Sequence, residues 1–419
     1  MTTTDMDSAD AARPVFGNLV VWLLAVMVLI NYVDRGTLST AGPMIRDELK
    51  LSNSQLGVLL SAFYWTYVPA HAVVGWLTER FNAYWVLAVG LAVWATATAL
   101  TGLAHGFALL LVLRLLLGVG ESAAFPCSSK LFGQHLPAGG MGFANGLFSM
   151  GLALGPAFGV FFGGEIMAQQ GWRMTFILFG GLSLLWLVPW LMATRRLSGE
   201  ASRARHDRDE PSFAELLSKP ALWGTMVGHG FNLYAFYFVI SWLPTYLIKV
   251  QGLSLREMAV TGGEIYLVYA ASSFVSGWCS DRLIAAGVSL TWSRKPFLVA
   301  AQLIVAAAMA AAAFGGAKAA VASLFVAGAA FGMWTPNLYA VAQTLAGPRA
   351  SGKWVGLSNG VANLSGVLAP LATGFLVDAT GGFLAAFAAA GAMALLAAVC
   401  VLFLIWRVRE TAWAPRGAS

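Results

Sequence analysis

Long apolar segments, each about the length that crosses a bilayer, recur from one end of this chain to the other. A spanning helix needs roughly 20 mostly apolar residues. Twelve segments of the 419-residue sequence meet that need, at approximately 17–41, 56–77, 84–104, 107–129, 143–167, 174–193, 222–248, 259–281, 296–315, 319–345, 355–378 and 383–406. This pattern predicts an all-α membrane protein with twelve transmembrane helices.

Composition supports the same fold class and excludes several functions. Hydrophobic residues make up 58% and charged residues 11% of the chain, whereas soluble domains carry about 45 to 50% apolar and about 25% charged residues. The mean hydropathy is +0.73, so the uncharged surface faces lipid. A cytosolic enzyme, a nucleic-acid binder and a secreted disulfide scaffold are excluded. The three cysteines, Cys127, Cys279 and Cys400, lie in or beside apolar stretches and indicate no disulfide framework.

One long, basic connection divides the twelve segments into six and six. Residues 194–220 hold five arginines and Lys219. The predicted organisation is an N-terminal tail (1–16), a first six-helix bundle (17–193), a linker (194–220), a second six-helix bundle (221–406) and a C-terminal tail (407–419). With both tails and the linker inside, 17 of the 25 Lys and Arg fall in inner segments. The positive-inside bias therefore predicts cytoplasmic termini and a cytoplasmic linker.

The two bundles carry an internal duplication. Gly75, Trp76, Glu79 and Arg80 close the second segment, and the same order recurs 202 residues later at the end of the eighth, as Gly277, Trp278, Asp281 and Arg282. A second echo, at an offset of 214, pairs Gly142, Asn145, Gly146 and Pro156 of the fifth segment with Gly356, Asn359, Gly360 and Pro370 of the eleventh. In transporters built from repeats the substrate site lies between the halves at mid-membrane.

These features resemble the major facilitator superfamily. Within it, the first-segment motif (Asn31, Tyr32, Asp34, Arg35), the fourth-segment motif (Arg114, Glu121, Phe125, Pro126) and the Ser-Trp-Leu-Pro run at 241–244 resemble the anion:cation symporter family. That resemblance implies a secondary transporter, not an enzyme, that carries sugar acids, hexuronates or aromatic carboxylates with protons in the bacterial inner membrane. The residues Gly75, Glu79, Arg80, Gly277, Asp281 and Arg282 match its gating motif. Glu79 departs from the usual Asp, and the residues after it lack the usual bases.

Four charged residues lie well inside the first and fourth predicted spans and need a reason, because each costs about 2.5 to 3.5 kcal/mol at a helix centre. At 1.5 Å per residue, Asp34, Arg35 and Arg114 lie at similar depth, roughly 10 Å below the outer boundary. Glu121 follows Arg114 by seven residues and faces the same way. The four charges sum to zero. They predict either a structural ion-pair lattice or, as the leading hypothesis, a site that exchanges a proton for a substrate carboxylate.

Within this hypothesis each charge has an expected role. Arg35 is the first choice to hold the carboxylate, because a guanidinium offers a bidentate contact and keeps its charge. Arg114 is expected to pair with Asp34 in the empty site, as the resemblance also suggests. Glu121, expected to be further from the arginines, is the first choice for the coupling proton, because desolvation favours its neutral form; Asp34 is the second.

Uncharged polar residues complete the predicted substrate site, although packing roles are equally compatible with most of them. In the first half these are Asn31 and Tyr32, one turn before Arg35, and Tyr67, which matches a family binding position. His71, four residues later, is a candidate second titrating group. The second half is expected to read hydroxyls or an aromatic ring through Tyr237, Asn337 and Asn363, of which Asn363 matches a family position.

The predicted partners are a small organic anion, the proton as coupling ion, and membrane lipid. No other cofactor, no metal and no nucleic acid is expected, and the chain is expected to work as a monomer. Two alternatives stay open: a lipid carrier resembling the spinster family, which shares the acid-Arg pair and the Gly-x-Gly-Glu run, and an organic-anion uniporter or exchanger. The sequence does not identify the anion.

Overall fold

The structure is a computed structural model that describes residues 19–203, 210–252, 255–315 and 317–413. The predicted tail at 1–16, linker residues 204–209 and tail residues 414–419 therefore lie outside it. The helices of the described residues are α1 (Val21–Leu49), α2 (Asn53–Arg80), α3 (Ala83–Thr101), α4 (Phe107–Glu121), α5 (Ala124–His135), α6 (Met141–Leu185), α7 (Leu187–Arg203), α8 (Phe213–Leu217), α9 (Pro220–Lys249), α10 (Leu255–Ala285), α11 (Leu290–Phe314), α12 (Ala317–Ala346), α13 (Ser351–Ala362), α14 (Ser365–Thr380) and α15 (Leu384–Leu404).

Long apolar helices dominate this architecture. Eight helical stretches of the described residues are long and apolar enough to cross a membrane. The longest, Ala138–Arg195, runs over 58 residues and contains two predicted spans. The fourth span is divided between α4 and α5, and the eleventh between α13 and α14. Helix α7 continues to Arg203, so the first part of the predicted linker is helical.

Helix α6 turns back on itself at Gly171. The backbone there has φ 80° and ψ 165°, a conformation in which glycine meets no Cβ penalty. The two arms then run side by side, since the ring of Phe179 lies 3.3 Å from the position a Cβ would take at Gly163. A single break thus converts one continuous helix into the fifth and sixth spans.

The turn at Gly171 is tied to the end of α1, beyond the predicted first span. Trp172 Nε1 donates to Glu48 Oε2 at 2.6 Å, and Arg173 Nε donates to Glu48 Oε1 at 3.0 Å. The hydrogen bond from Trp172, followed by that from Arg173, lowers the pKa of the Glu48 carboxyl. Arg173 also donates to the carbonyls of Gly102 and Ala104 after α3. Three spans are therefore fastened together at this end of the bundle.

Small residues bring α1 and α6 into close contact. A Cβ at Gly151 would meet the Ala25 carbonyl, and a Cβ at Gly155 would meet Tyr32 Cβ and the Leu29 carbonyl. Glycine at these positions lets the two backbones approach, as small-residue stripes do in membrane helices. The stripe thereby fixes the turn of α1 that carries Tyr32 and Arg35.

The two halves meet at one end of the bundle, which we call the linker end: the end that carries Arg80, Lys130, Asp281 and the described residues of the 194–220 segment. Two seams run there, one between α2 and α13 and one between α6 and α10. The linker joins the first seam, because Lys353 Nζ of α13 donates to Glu210 Oε2 and to the Pro211 carbonyl, both at 3.1 Å. Hydrogen bonds between the halves gather around these seams, from Glu79 and His71 of α2 to Asp281 of α10.

Candidate functional site

Arg35 stands in a box of aromatic rings where α1 meets α2. Its guanidinium carbon lies 4.5 Å from the ring centroid of Tyr32, 4.7 Å from that of Phe63 and 4.6 Å from that of Tyr67. Ring faces carry negative potential and attract a cation, more strongly where water is scarce. The side chain stays 15% exposed. The box therefore holds a cation ready for an anion without enclosing it.

Glu121 occupies the other side of Arg35. Arg35 Nε donates to Glu121 Oε2 at 2.8 Å, and the Glu121 side chain is fully buried. Gly118 packs against the α2 backbone at Phe63 and Tyr67, and Gly120 packs against Trp94 of α3. The helix stops at Glu121 and resumes at Ala124, where Pro126 lacks the N–H that would bond to the Ser122 carbonyl. Close glycine contacts and a proline-induced break thus place this carboxylate at the centre of the first half.

The expected pairing of Arg114 with Asp34 is not formed. Arg114 Nε donates to the Leu59 carbonyl at 3.3 Å, and Asp34 Oδ2 accepts from Thr98 Oγ1 of α3 at 3.4 Å. Asp34 still interacts electrostatically with Glu121 and Arg114. The expectation that Glu121 is further from the arginines is also wrong, since Glu121 makes the one ion pair of the four charges. Asp34 and Arg35 are neighbours on one helix and point to different partners.

Several buried polar atoms around this ion pair have no hydrogen-bond partner among the described residues. They are Asp34 Oδ1, Arg35 Nη2, Glu121 Oε1, the Tyr67 hydroxyl and both amide atoms of Asn31. Native proteins satisfy most buried polar groups, so each exception calls for an explanation. A cation with a free donor, beside carboxylates with free oxygens, fits a site that exchanges an internal partner for a ligand and a proton.

In the second half, the predicted polar residues divide into two groups. The Tyr237 hydroxyl donates to Asn363 Oδ1 at 2.9 Å, and the Tyr237 and Tyr64 rings both lie 3.3 Å from the Cβ position at Gly366. These residues therefore share the middle of the bundle with α2. Asn337 is fully buried in α12; its amide donates to the Met333 carbonyl, and its Oδ1 has no partner among the described residues.

The gating motif forms a clamp across the first seam. Glu79 Oε1 accepts from the main-chain N–H groups of Gly352 at 2.8 Å and Lys353 at 3.3 Å, in the first turn of α13. A helix N-terminus favours a carboxylate through its free N–H groups and its dipole. Glu79 Oε2 pairs with Lys130 Nζ, which also donates to the Pro348 carbonyl at 2.7 Å. Lys130 of α5 thus supplies the basic partner that the gating motif itself lacks.

The duplicated motif forms the matching clamp across the second seam. Asp281 accepts from the main-chain N–H groups of Gly142 at 3.0 Å and Phe143 at 2.7 Å, in the first turn of α6. Arg294 Nη2 donates to Asp281 at 3.1 Å and also reaches the Ala138 carbonyl. Each half thus offers a carboxylate to the start of a helix in the other half.

Glycines allow these clamps to close. A Cβ at Gly75 would meet the Gly352 carbonyl and the Gly356 Cα, and one at Gly277 would meet the Gly142 carbonyl. The motif arginines take no part, because Arg80 lies over the Trp76 ring at 5.5 Å and Arg282 over the Trp278 ring at 4.9 Å, both exposed. Within the predicted gating set, the structure brings the glycines and the acids to the seams and leaves the arginines outside.

Sequence reasoning missed the basic partners and one polar residue of the seams. Lys130, Arg294 and Lys353 were counted only as topology labels, because each lies just outside a predicted span. Asn359 was seen only as part of the duplication, yet its amide meets His71 Nε2 at 2.9 Å across the first seam. Its duplicate Asn145 in α6 meets Gln343 of α12 at 2.7 Å, also between the two halves. The repetition of this asparagine in the two halves was the sequence signal for both contacts.

Comparison with protein families gives a match over nearly the whole chain. The family model described as Major Facilitator Superfamily matches residues 24–291 and 266–419. A hexuronate transporter of Bacillus subtilis is 30% identical over 401 residues, covering 91% of this chain and 93% of that protein. A probable sulfoacetate transporter of Cupriavidus necator is 28% identical over 413 residues, covering 92% of this chain and 93% of that protein.

Solved structures share the fold at low sequence identity. The human organic anion transporter MFSD10 superposes with a TM-score of 0.74 at 17% identity, covering 91% of this chain and 98% of its own. The fucose:proton symporter of Escherichia coli gives a TM-score of 0.69 at 16% identity, covering 92% and 98%. These likenesses establish the all-α architecture and nothing finer.

Proposed function

The chain belongs to the major facilitator superfamily, and from that membership we propose that it is a proton-coupled symporter that imports a small organic anion by alternating access. It is an integral, multi-pass membrane transporter and not an enzyme. We propose that it couples transport to protons, moves its substrate inward, and carries a sugar acid, a hexuronate or an aromatic carboxylate. We also propose that it lies in the bacterial inner membrane with both termini in the cytoplasm, and that it works as a monomer surrounded by lipid.

The ion pair between Arg35 and Glu121 carries the proposal. A substrate carboxylate and the Glu121 carboxylate compete for one guanidinium, whose Nη2 is already without a partner among the described residues. Protonation of Glu121 removes the internal competitor, so Arg35 becomes free to take a bidentate hold on the substrate. Proton and anion therefore favour each other's binding, which is the coupling that symport requires.

The remaining residues have supporting roles in this scheme. Asp34, with a free Oδ1 beside Glu121, is the second position for the proton. Tyr32, Tyr67 and Asn31 surround the carboxylate end of the substrate, and Arg114 offsets the two acids. Tyr237, Asn337 and Asn363 contact the rest of the molecule from the second half.

The position of the seams supports alternating access. The halves are joined at the linker end, which the positive-inside bias assigns to the cytoplasm, so this conformation admits substrate from outside. Once proton and anion have both bound, the net charge of the site is the same as in the empty carrier. The halves can then close over the site at the far end and part at the linker end, as Glu79 and Asp281 leave the helix starts that they cap.

Uptake into proteoliposomes tests the proposal. Purified protein is screened with sugar acids against aromatic carboxylates, with and without an inward proton gradient. Glu121→Gln should keep exchange of substrate across the membrane while abolishing uphill, pH-driven uptake, because glutamine cannot carry the proton. Uphill uptake by this variant at the wild-type rate would remove Glu121 from the scheme. Counterflow without any pH dependence in the wild type would indicate a uniporter or an exchanger.

A further inference from the structure

A chain of hydrogen bonds runs from the middle of the bundle to the first seam, and its donors and acceptors can be assigned. Asn363 Nδ2 donates to the Asn359 main-chain carbonyl at 2.8 Å, which can only accept. Asn363 Oδ1 is then free to accept from the Tyr237 hydroxyl at 2.9 Å. The same Nδ2 lies 3.2 Å from Asn359 Oδ1, and the Tyr339 hydroxyl donates to that oxygen at 2.9 Å. The orientation of the Asn359 amide is therefore fixed by its network.

The assignment determines the protonation of His71. Asn359 directs its NH₂ group at His71 Nε2, 2.9 Å away, so Nε2 must present a lone pair. His71 Nδ1 lies 2.8 Å from the Tyr67 carbonyl, one turn earlier in α2, so Nδ1 must carry the proton. With the seam closed, the ring is neutral and in a single tautomer.

The surroundings of His71 give a second proton no partner. The side chain is fully buried, Gly360 packs against it, and a Cβ at Gly356 would meet its main-chain carbonyl. A proton on Nε2 would point at the N–H donors of Asn359, an arrangement that leaves a buried charge without an acceptor.

The groups that face His71 from the neighbouring helices do not offset a positive charge on its ring. Tyr67 of α2 lies with its ring 4.2 Å away, edge to face, and Arg35 of α1 contributes a repulsive positive charge. Across Asn359 stand Tyr339 of α12 and His229 of α9, the latter accepting from Trp334 Nε1 at 3.3 Å. Among the described residues, no carboxylate interacts with the His71 ring.

We propose that His71 is a proton-sensing residue of the gate: it is neutral while the first seam is closed and binds a proton at Nε2 when the seam opens and water reaches it. A protonated His71 cannot remake its contact with Asn359, so the proton must leave before the linker end closes again. The inference rests on the alternating access proposed above but not on which carboxylate couples transport.

Only one of the two seams carries this sensor. Beside the second seam, Asn145, the duplicate of Asn359, exchanges hydrogen bonds with Gln343 of α12 at 2.7 and 3.1 Å. The position that duplicates His71 is Ser273, 202 residues later. The side chains of Asn145, Gln343 and Ser273 do not titrate near neutral pH. The histidine sensor therefore belongs to the seam between α2 and α13 alone.

The direction of the pH effect follows from linkage. The open seam binds a proton at His71 and the closed seam does not, so acid favours the open linker end and alkali favours the closed one. For one proton, the ratio of open to closed carriers rises up to tenfold for each unit of falling pH, below the range in which the exposed imidazole titrates. Acid on the linker side thus slows closure of the linker end, the step that returns the empty carrier to its original conformation.

Distance measurement between spin labels tests the proposal on the full-length protein in nanodiscs. Labels at the exposed linker-end positions 81 and 286 report opening, in a background with Cys279 and Cys400 replaced by alanine. Between pH 8 and pH 5.5 the wild type should shift toward the long distance. His71→Gln, which keeps an acceptor for Asn359 but cannot titrate, should lose most of that shift. An unchanged shift in this variant, or no shift in the wild type, would overturn the proposal.

Asn359→Asp gives an independent check, in case glutamine disturbs packing. The new carboxylate can accept from a protonated Nε2, so acid should now close the linker end or leave it closed, reversing the wild-type response. Opening by acid in this variant to the wild-type extent would also overturn the proposal. Glu121→Gln should keep the pH response of the distance while losing pH-driven uptake, which separates failure of the gate sensor from failure of the proposed coupling.

Discussion

At the residue scale, the functional centre is a cation whose partners can be exchanged. Among the described residues, Arg35 has one carboxylate partner, three aromatic neighbours and an Nη2 group without a partner. The rings contribute attraction without competing for the N–H groups, so the guanidinium retains directional bonds for a ligand. An ammonium group at the same place would lack both the fork geometry and the flat surface for stacking.

We therefore expect Arg35→Lys to weaken binding of the transported anion at least tenfold, or about 1.4 kcal/mol. Isothermal titration calorimetry with the anion found in the uptake screen measures this loss. Arg80→Lys is the matched control, because Arg80 also stacks on an aromatic ring but lies exposed outside the seams. Similar affinities for the two variants would contradict the role given to Arg35.

The sequence predicted which charges meet but not which of them pair. Helical rise placed Asp34, Arg35 and Arg114 at one depth, and the seven-residue spacing placed Glu121 on the same face as Arg114. Asp34 and Arg35, however, are adjacent and point about 100° apart around α1, since a helix has 3.6 residues per turn. Which of the two faces α3 and which faces α4 depends on the rotation of α1, and that is set by its glycine contacts with α6.

At the scale of elements, the gate consists of carboxylates that cap helices of the opposite half. Each clamp combines main-chain N–H groups with one basic side chain, and each side chain is buried or nearly so. Removing one partner of a buried ion pair costs about 3 to 5 kcal/mol, because the other charge stays buried without compensation. Closure at the linker end is therefore sensitive to single changes in either clamp.

Glu79→Gln should shift the carrier toward the open linker end, because the amide oxygen can still cap α13 but Lys130 loses its counter-charge. Lys130→Met should have a similar effect, because the Glu79 carboxylate then loses its counter-charge. The double variant should return toward wild-type closure. The label distance used for the His71 test measures all three variants. Additive effects of the two single changes in the double variant would show that the residues act separately.

Sequence predicted the elements of the gate better than its contacts. The duplicated Gly, acid and Arg residues indicated the ends of the second and eighth spans, and the repeated asparagines indicated the fifth and eleventh. Lys130 and Arg294 belong to other spans, so no local spacing connects them to the motif. Their pairing depends on how the bundles dock, which is a tertiary property.

At the scale of the whole molecule, the central site has zero net charge in the empty carrier and, once the substrate carboxylate is included, in the loaded one. In the proposed cycle, Glu121 gains a proton and the substrate contributes one carboxylate, so the loaded carrier has the charge of the empty one. For a substrate with a single carboxylate, the moving charge is zero, and the membrane potential does no work on the transport step.

Uptake of a monocarboxylate should therefore respond to the pH gradient and not to voltage. In proteoliposomes, a potassium diffusion potential set by valinomycin at equal pH should change the initial rate by less than twofold. A dicarboxylate under the same conditions should be slowed by a potential that is negative inside. A strong acceleration of monocarboxylate uptake by that potential would indicate a second proton, for which Asp34 is the candidate.

The reciprocity of the two clamps has an evolutionary consequence. Glu79 caps α13 and Asp281 caps α6, which occupy equivalent places in the duplicated sequence. One interface is thus used twice around a pseudo-twofold axis, as in an isologous dimer. An ancestral six-helix unit needed only a single acid and a single helix start to pair with its own copy. Fusion of the copies then allowed the seams to diverge, and one now carries His71 where the other has Ser273.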